Sequence, residues 1–230
     1  MKPLTRRVLT MIAVALAATF FVGAIASERG GSQSAAPAPI RVAAVGDSIT
    51  FGEGVEADSR ELVSYPGQLQ TLLGSGYQVI NFGYIGATLR DAGDQPYRKT
   101  DAYAASLESA PDVVVIMLGS NDSKKQNWDA KTYESELAGL ITTYRALPST
   151  PKVFVMTPPA ATENKPKIDP EVISKEIAPI VRKVGAAMNA PVIDVYAATL
   201  AHPDYFPDGV HPDKTGAGLI ATTVQAAILS

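Results

Sequence analysis

The chain has 230 residues, 46% of them hydrophobic and 19% charged, with a formal net charge of −3. It contains no cysteine, which excludes disulfides, thiolate metal sites, cysteine nucleophiles and lipid-modified cysteine anchors. An acidic chain without a basic run is a poor partner for nucleic acid, and the apolar fraction suffices for one full core.

The first segment reads as targeting rather than fold. Lys2, Arg6 and Arg7 precede an apolar stretch from Val8 to Val22, and Ala24-Ile25-Ala26 has the small-x-small form of a signal-peptidase site. Residues 1–26 are therefore expected to be a secretory signal, and the protein to be secreted or periplasmic. The alternative is an uncleaved membrane anchor, because the stretch is on the edge of spanning length. Removing the three cations of this acid-free segment from −3 leaves −6 for the mature chain. Residues 27–39, rich in Ser, Gly, Ala and Pro, suit a flexible linker. One domain is expected over 40–230.

Ile40 to Val45 is short, small and β-branched, the pattern of a buried strand, and Gly46-Asp47-Ser48-Ile49-Thr50 follows it. A Gly- and acid-rich loop from Phe51 to Ser64 leads to a helix opened by Pro66 and carrying Leu69, Leu72 and Leu73. Tyr77 to Phe82 is a second strand, closed by Gly83 to Thr88. Thr100 to Ser109 predicts a helix after a polar loop, Leu89 to Lys99. Val113 to Leu118 has no polar alternation, so it belongs in a sheet buried on both faces. Gly119-Ser120-Asn121-Asp122 ends it. Helical spacing marks Ala130 to Leu147, with Tyr133, Leu137, Leu140, Ile141 and Tyr144 on one face. Val153 to Met156 is a fourth strand, and a polar loop follows from Ala160 to Asp169. Ile173 to Met188 keeps helical period with Pro179 inside it, which predicts a kink or a restart. Val192 to Val195 is a fifth strand, and a last helix starts near Asp213.

Strands alternating with helices predict an α/β protein: a three-layer α/β/α sandwich with a five-stranded parallel sheet. Right-handed crossovers place every strand-to-helix turn on one edge of such a sheet. Ser48, Gly86 and Asn121 would meet there. Taken alone, Ser48 fits either a helix N-cap or an exposed nucleophile at a strand's carboxyl end.

Phe206-Pro207-Asp208-Gly209-Val210-His211 adds a carboxylate and an imidazole three residues apart. Such an Asp can hold the imidazole in the tautomer that takes a proton from a serine. A metal pair or a surface turn without function are the other readings. No further histidine or carboxylate cluster supplies the remaining metal ligands, and no metal or cofactor is expected.

Four blocks stand in order: Gly46-Asp47-Ser48, a glycine after Asn81, Gly119-Ser120-Asn121-Asp122 and Asp208-Gly209-Val210-His211. Together they resemble the GDSL or SGNH hydrolase family, over most of Ile40 to Ala221. The resemblance implies a flavodoxin-like fold with Ser48 as nucleophile, His211 as general base and Asp208 as its orienting partner. It implies an oxyanion hole of the Ser48 and Gly86 backbone N–H groups and the Asn121 amide. Gly86 is preferred to Gly83 because the family's donor sits five residues after the block's Asn, with Ser or Thr soon after it, here Thr88. Asp47 and Asp122 are expected to be structural, and His202 a loop residue.

The phrasing from Leu118 to Trp128 looks closer to carbohydrate O-acetylesterase-like members than to lipases. The catalytic-edge loops are polar with scattered aromatics, which suits a sugar ring better than a long acyl chain. Tyr97 and Trp128 are the candidate substrate-binding residues, though such aromatics also serve to pack loops onto a domain. The expected partner is a small ester or a glycan ester. Lipid or aryl esterase is the alternative, and a non-catalytic carbohydrate-binding module the alternative of another class; the sequence gives no oligomeric state.

Overall fold

The computed structural model describes residues 37–163 and 167–230. The expected signal segment, the linker up to residue 36 and three residues of the 160–169 loop lie outside the described residues. Among these residues no helix is long and apolar enough to cross a membrane.

The strands are β1 (Ile40–Gly46), β2 (Tyr77–Gly83), β3 (Val113–Met117), β4 (Lys152–Met156) and β5 (Val192–Ile193). They pair in parallel in the order β2-β1-β3-β4-β5, the flavodoxin-like order of a doubly wound sheet. β3 is buried at all five positions, as its unbroken apolar run requires. Helices fill both faces. In chain order they are α1 (Ser48–Phe51), α2 (Arg60–Val63), α3 (Tyr65–Leu73), α4 (Asp101–Glu108), α5 (Ala130–Arg145), α6 (Pro170–Val172), α7 (Ala178–Ala187), α8 (Val195–Thr199) and α9 (Lys214–Leu229). α3 packs beside α9 and α5 beside α7. Ser106 and Tyr144 hydroxyls, 2.6 Å apart, tie α4 to α5.

β2 is an edge strand, and side chains occupy three of its outer backbone groups. Gln70 Oε1 accepts from Val79 N at 2.7 Å and its Nε2 donates to Tyr77 O at 3.1 Å. Asn81 Oδ1 accepts from Gly83 N at 2.9 Å. Such blocking keeps an exposed edge from pairing with another chain.

Three details depart from the sequence reading. Phe51 to Ser64 is not a plain loop: α1 ends in it, and a 3-10 turn (Ala57–Ser59) runs into α2. β5 is only two residues long, because Asp194 accepts from Ala197 N and caps α8; Val195 stays buried, but in a helix. The helix through Pro179 neither breaks nor restarts. A π-turn over Ile173–Ile177 joins α6 to α7, immediately before the proline. Its wider winding accommodates a ring that would otherwise strike the carbonyl four residues back.

Candidate active site

Ser48 is the first residue of α1, and Asp47, not Ser48, is the N-cap. Asp47 Oδ1 accepts from Ile49 N at 3.0 Å. That leaves the Ser48 hydroxyl free of capping and its backbone N–H among the unpaired donors of a first helical turn. The hydroxyl lies 2.9 Å from His211 Nε2. Asp208 Oδ2 is 2.6 Å from His211 Nδ1, while Asp208 Oδ1 accepts from Val210 N at 2.9 Å and His211 N at 2.7 Å. Partial burial pushes the Asp208 carboxyl up, but these bonds and the imidazole outweigh it and hold it below the usual carboxylate range. An ionised Asp208 accepts a hydrogen bond from Nδ1–H, which keeps the proton on that nitrogen and leaves the Nε2 lone pair facing Ser48.

The second group of predicted residues gathers around Ala87. Asn121 Nδ2 donates to Ala87 O at 3.1 Å, which uses one amide hydrogen and leaves the other. Gly86 sits at φ 78°, and a Cβ there would meet nothing within 4 Å. Its left-handed backbone, not crowding, is what calls for glycine. The Gly86 N–H donates to no acceptor among the described residues. Gly83 differs on both counts. Its N–H is held by Asn81, and a Cβ would lie 2.1 Å from Phe51 N, so close packing against α1 is its purpose.

Two buried carboxylates brace these turns. Asp122 accepts from Leu89 N and Arg90 N at 2.9 Å each. Burial pushes its pKa up to about 7 despite those bonds. Burial likewise raises Asp47 to about 6, with the Ile49 N–H, the Ser120 hydroxyl and the His211 charge pulling it back. Asp47 Oδ2 has no hydrogen bond of normal geometry. Asn127 joins the set. It is buried, donates to Asn121 O at 2.9 Å and accepts from Asp94 N at 3.1 Å.

The sequence from 44 to 219 matches the profile of the GDSL-like lipase/acylhydrolase family. The chain belongs to that family. It is a family of serine ester hydrolases, and the enzyme class of this GDSL-like domain follows from it. An acetylxylan esterase of Xylanibacter ruminicola is 38% identical over 215 residues, covering 84% of this chain. The chain spans 44% of that relative's length. Among solved structures, a lipase/acylhydrolase from Enterococcus faecalis is 32% identical with a TM-score of 0.65, over 82% of this chain and 95% of that one. A putative arylesterase from Agrobacterium tumefaciens is 25% identical with a TM-score of 0.68, over 83% and 98%.

The predicted substrate aromatics fare differently within the GDSL-like domain. Tyr97 is 1% exposed, its hydroxyl donates to Phe82 O at 2.8 Å, and its ring meets Tyr103 edge-on. The substrate-binding role expected of it is therefore corrected: Tyr97 is a core residue. Trp128 is half-buried, with its indole N–H on Glu176 Oε2 at 3.0 Å and its ring against Tyr133. His202 stacks on Tyr205, ring centroids 4.7 Å apart, away from the imidazole work. Sequence reasoning missed the exposed pair Tyr84 and Ile85, directly before Gly86. Tyr84 N donates to Gly46 O at 3.0 Å, which sets this pair beside the Ser48 turn. Glu53 was missed as well, and its Oε2 lies 3.3 Å from His211 Nε2.

Proposed function

We propose that the domain hydrolyses short acyl esters, acetyl above all, on carbohydrate, through Ser48, His211 and Asp208. The observation that carries this is the unbroken chain of contacts from Ser48 Oγ through the His211 ring to Asp208. His211 Nε2 takes the hydroxyl proton as Ser48 Oγ attacks the ester carbonyl. The carbonyl oxygen becomes an oxyanion, received by the Ser48 and Gly86 N–H groups and the free hydrogen of Asn121 Nδ2. The C–O bond to the alcohol then breaks, and the alcohol leaves with the proton from Nε2. Water, deprotonated by the same nitrogen, attacks the acyl-enzyme and releases the acid. These steps draw on side chains and backbone alone.

The likeness to the Xylanibacter ruminicola acetylxylan esterase supports the carbohydrate acetyl ester as substrate. Tyr84 and Ile85 support it too, since an exposed aromatic beside an apolar side chain offers a sugar a face to lie on. The lipase/acylhydrolase and arylesterase neighbours support a second reading, simple or lipid esters. Residues 1–26, read as a secretory signal, support action outside the cytoplasm, and a mature chain that begins at Ser27 is the expected result of mass analysis.

The test is a panel of 4-nitrophenyl acetate and palmitate beside acetylated xylan, run on the wild type and Ser48→Ala. Acetate release from xylan, with acetate preferred to palmitate and both lost in Ser48→Ala, is the expected outcome. A preference for palmitate would sink the carbohydrate reading. Full activity in Ser48→Ala would sink the assignment of the nucleophile.

A further inference from the structure

Resting on the reading of Ser48 and His211 as nucleophile and base, we propose that Glu53 sorts esters by the charge of the alcohol they release. It would disfavour anionic alcohols, such as those bearing a uronate or phosphate, relative to neutral polyols.

The position of Glu53 is built. Its backbone N–H donates to Ser48 O at 2.9 Å, so it is tethered to the candidate nucleophile's own turn. Gly52 and Gly54 on either side both have left-handed backbones, at φ 98° and 96°. A Cβ on Gly54 would lie 2.6 Å from Pro212 O and 2.9 Å from His211 Cβ. The loop therefore rests directly against the backbone that carries the imidazole. From there Glu53 Oε2 reaches to 3.3 Å from Nε2, the nitrogen that also meets Ser48 Oγ. Attraction to the resting imidazole does not explain the placement. With the proton held on Nδ1 by its hydrogen bond to Asp208, Nε2 carries a lone pair and has no proton to offer Glu53. The chain path places the Glu53 backbone within a side chain's reach of the ring.

The surrounding charge leaves it unneutralised. No lysine or arginine nitrogen lies within 4.0 Å of the Glu53 carboxylate among the described residues, and its side chain is half-exposed. The other charged groups at the ring are also carboxylates: Asp208 at Nδ1, and Asp47 within electrostatic reach of the imidazole.

Its consequence falls on the leaving group. The alcohol oxygen must come within a hydrogen bond of Nε2 to collect its proton. That brings it to within about 6 Å of Glu53 Oε2, the Glu53–His211 separation plus one hydrogen bond. A negative charge on that alcohol is then repelled by Glu53, and a neighbouring sugar hydroxyl can donate to it. The charge lies a few ångströms beyond that oxygen and is part screened by water, so one like charge costs about threefold in rate. The same carboxylate also faces the imidazolium formed during turnover, but that effect is common to all esters and divides out of a ratio.

The test uses matched aryl acetates, 3-acetoxybenzamide and 3-acetoxybenzoate, which differ in charge and hardly in shape. Each kcat/KM is divided by the ester's rate of hydroxide hydrolysis. The wild type is expected to favour the amide by about threefold at low salt, and the preference should shrink in 0.5 M NaCl. Glu53→Gln should bring the ratio near one, and Glu53→Lys should invert it. A ratio unchanged from the wild type in Glu53→Gln, or a wild type that does not discriminate, overturns the proposal. If Ser48→Ala hydrolyses both esters at the wild-type rate, the underlying reading fails instead, whatever Glu53 does.

Discussion

The two halves of the candidate site are assembled in opposite ways. On the base side, every bond of Asp208 closes within three residues, to Val210 N, His211 N and the His211 ring. On the donor side most of the bonds join separate segments of the chain. Asn81 holds Thr50 O at 2.8 Å from another strand, Asn121 holds Ala87 O, Asn127 holds Asn121 O, and Asp122 holds the backbone of Leu89 and Arg90. A local turn can lose its chemistry with little cost to the fold. A network whose Asn121, Asp122 and Asn127 are buried cannot, because each deletion there leaves a partner unsatisfied. Activity and stability should therefore separate on the base side and fall together on the donor side.

The largest effects test the base side. Ser48→Ala and His211→Ala should each lower kcat/KM on the order of 10⁴-fold or more, and the double variant should be no slower than either, as for groups acting as a unit. Their thermal midpoints should stay close to the wild type, and His202→Ala should retain activity. A double variant much slower than the singles would mean the two residues work independently.

Next comes the donor side. Asn121→Ala should lower kcat by roughly 10²–10³ with KM little changed. It should also lose about 1–2 kcal/mol of stability, because Ala87 O is left unpaired. Loss of kcat with unchanged stability would erase the contrast between the halves.

Asp122→Asn keeps the shape but turns an NH₂ towards one of two N–H donors, and should cost about 1–3 kcal/mol. The pH dependence sharpens this. Asp122 is pushed up to about 7 in the fold from a reference of 3.8, so between those values the folded state keeps a proton that the unfolded chain has released. Its contribution to stability is full below about pH 4 and is lost as the pH rises through about 7. The urea midpoint of the wild type, relative to Asp122→Asn, should therefore fall from pH 4.5 to pH 7.5. A relative midpoint that rises would mean Asp122 is ionised throughout.

The smallest effect lies outside both halves. Tyr97→Phe removes one buried bond to Phe82 O and should cost about 1 kcal/mol, with kcat/KM on acetylated xylan unchanged. A raised KM at full stability would return Tyr97 to the substrate.

What could be read from the residues follows the same division. Val113 to Leu118 declared the sheet because nothing polar interrupts it, and Asp208 with His211 were legible because three residues suffice to bring them together. Gly86 was separable from Gly83 through the family's spacing, and of the two only Gly86 has a left-handed backbone. Tyr97 was misjudged because a polar loop gives no sign of which of its aromatics turns inward. The burial of Asn127 was not legible for the same reason: it depends on Asn121 and Asp94, which the fold supplies. The end of β5 at Ile193 follows from Asp194 acting as a cap, a competition between strand and helix that apolar pattern alone does not decide. Glu53 escaped notice because its partner lies at the far end of the chain.

The blocked edge of β2 has a consequence for how the molecule behaves in company. The outermost strand of a sheet is where another chain's backbone can add itself, and repeated addition is how sheets grow into fibres. Gln70 occupies Val79 N and Tyr77 O, and Asn81 occupies Gly83 N, so an incoming strand would have to displace bonds already made. Two amide side chains thus stand where an added strand would have to bind at the β2 edge.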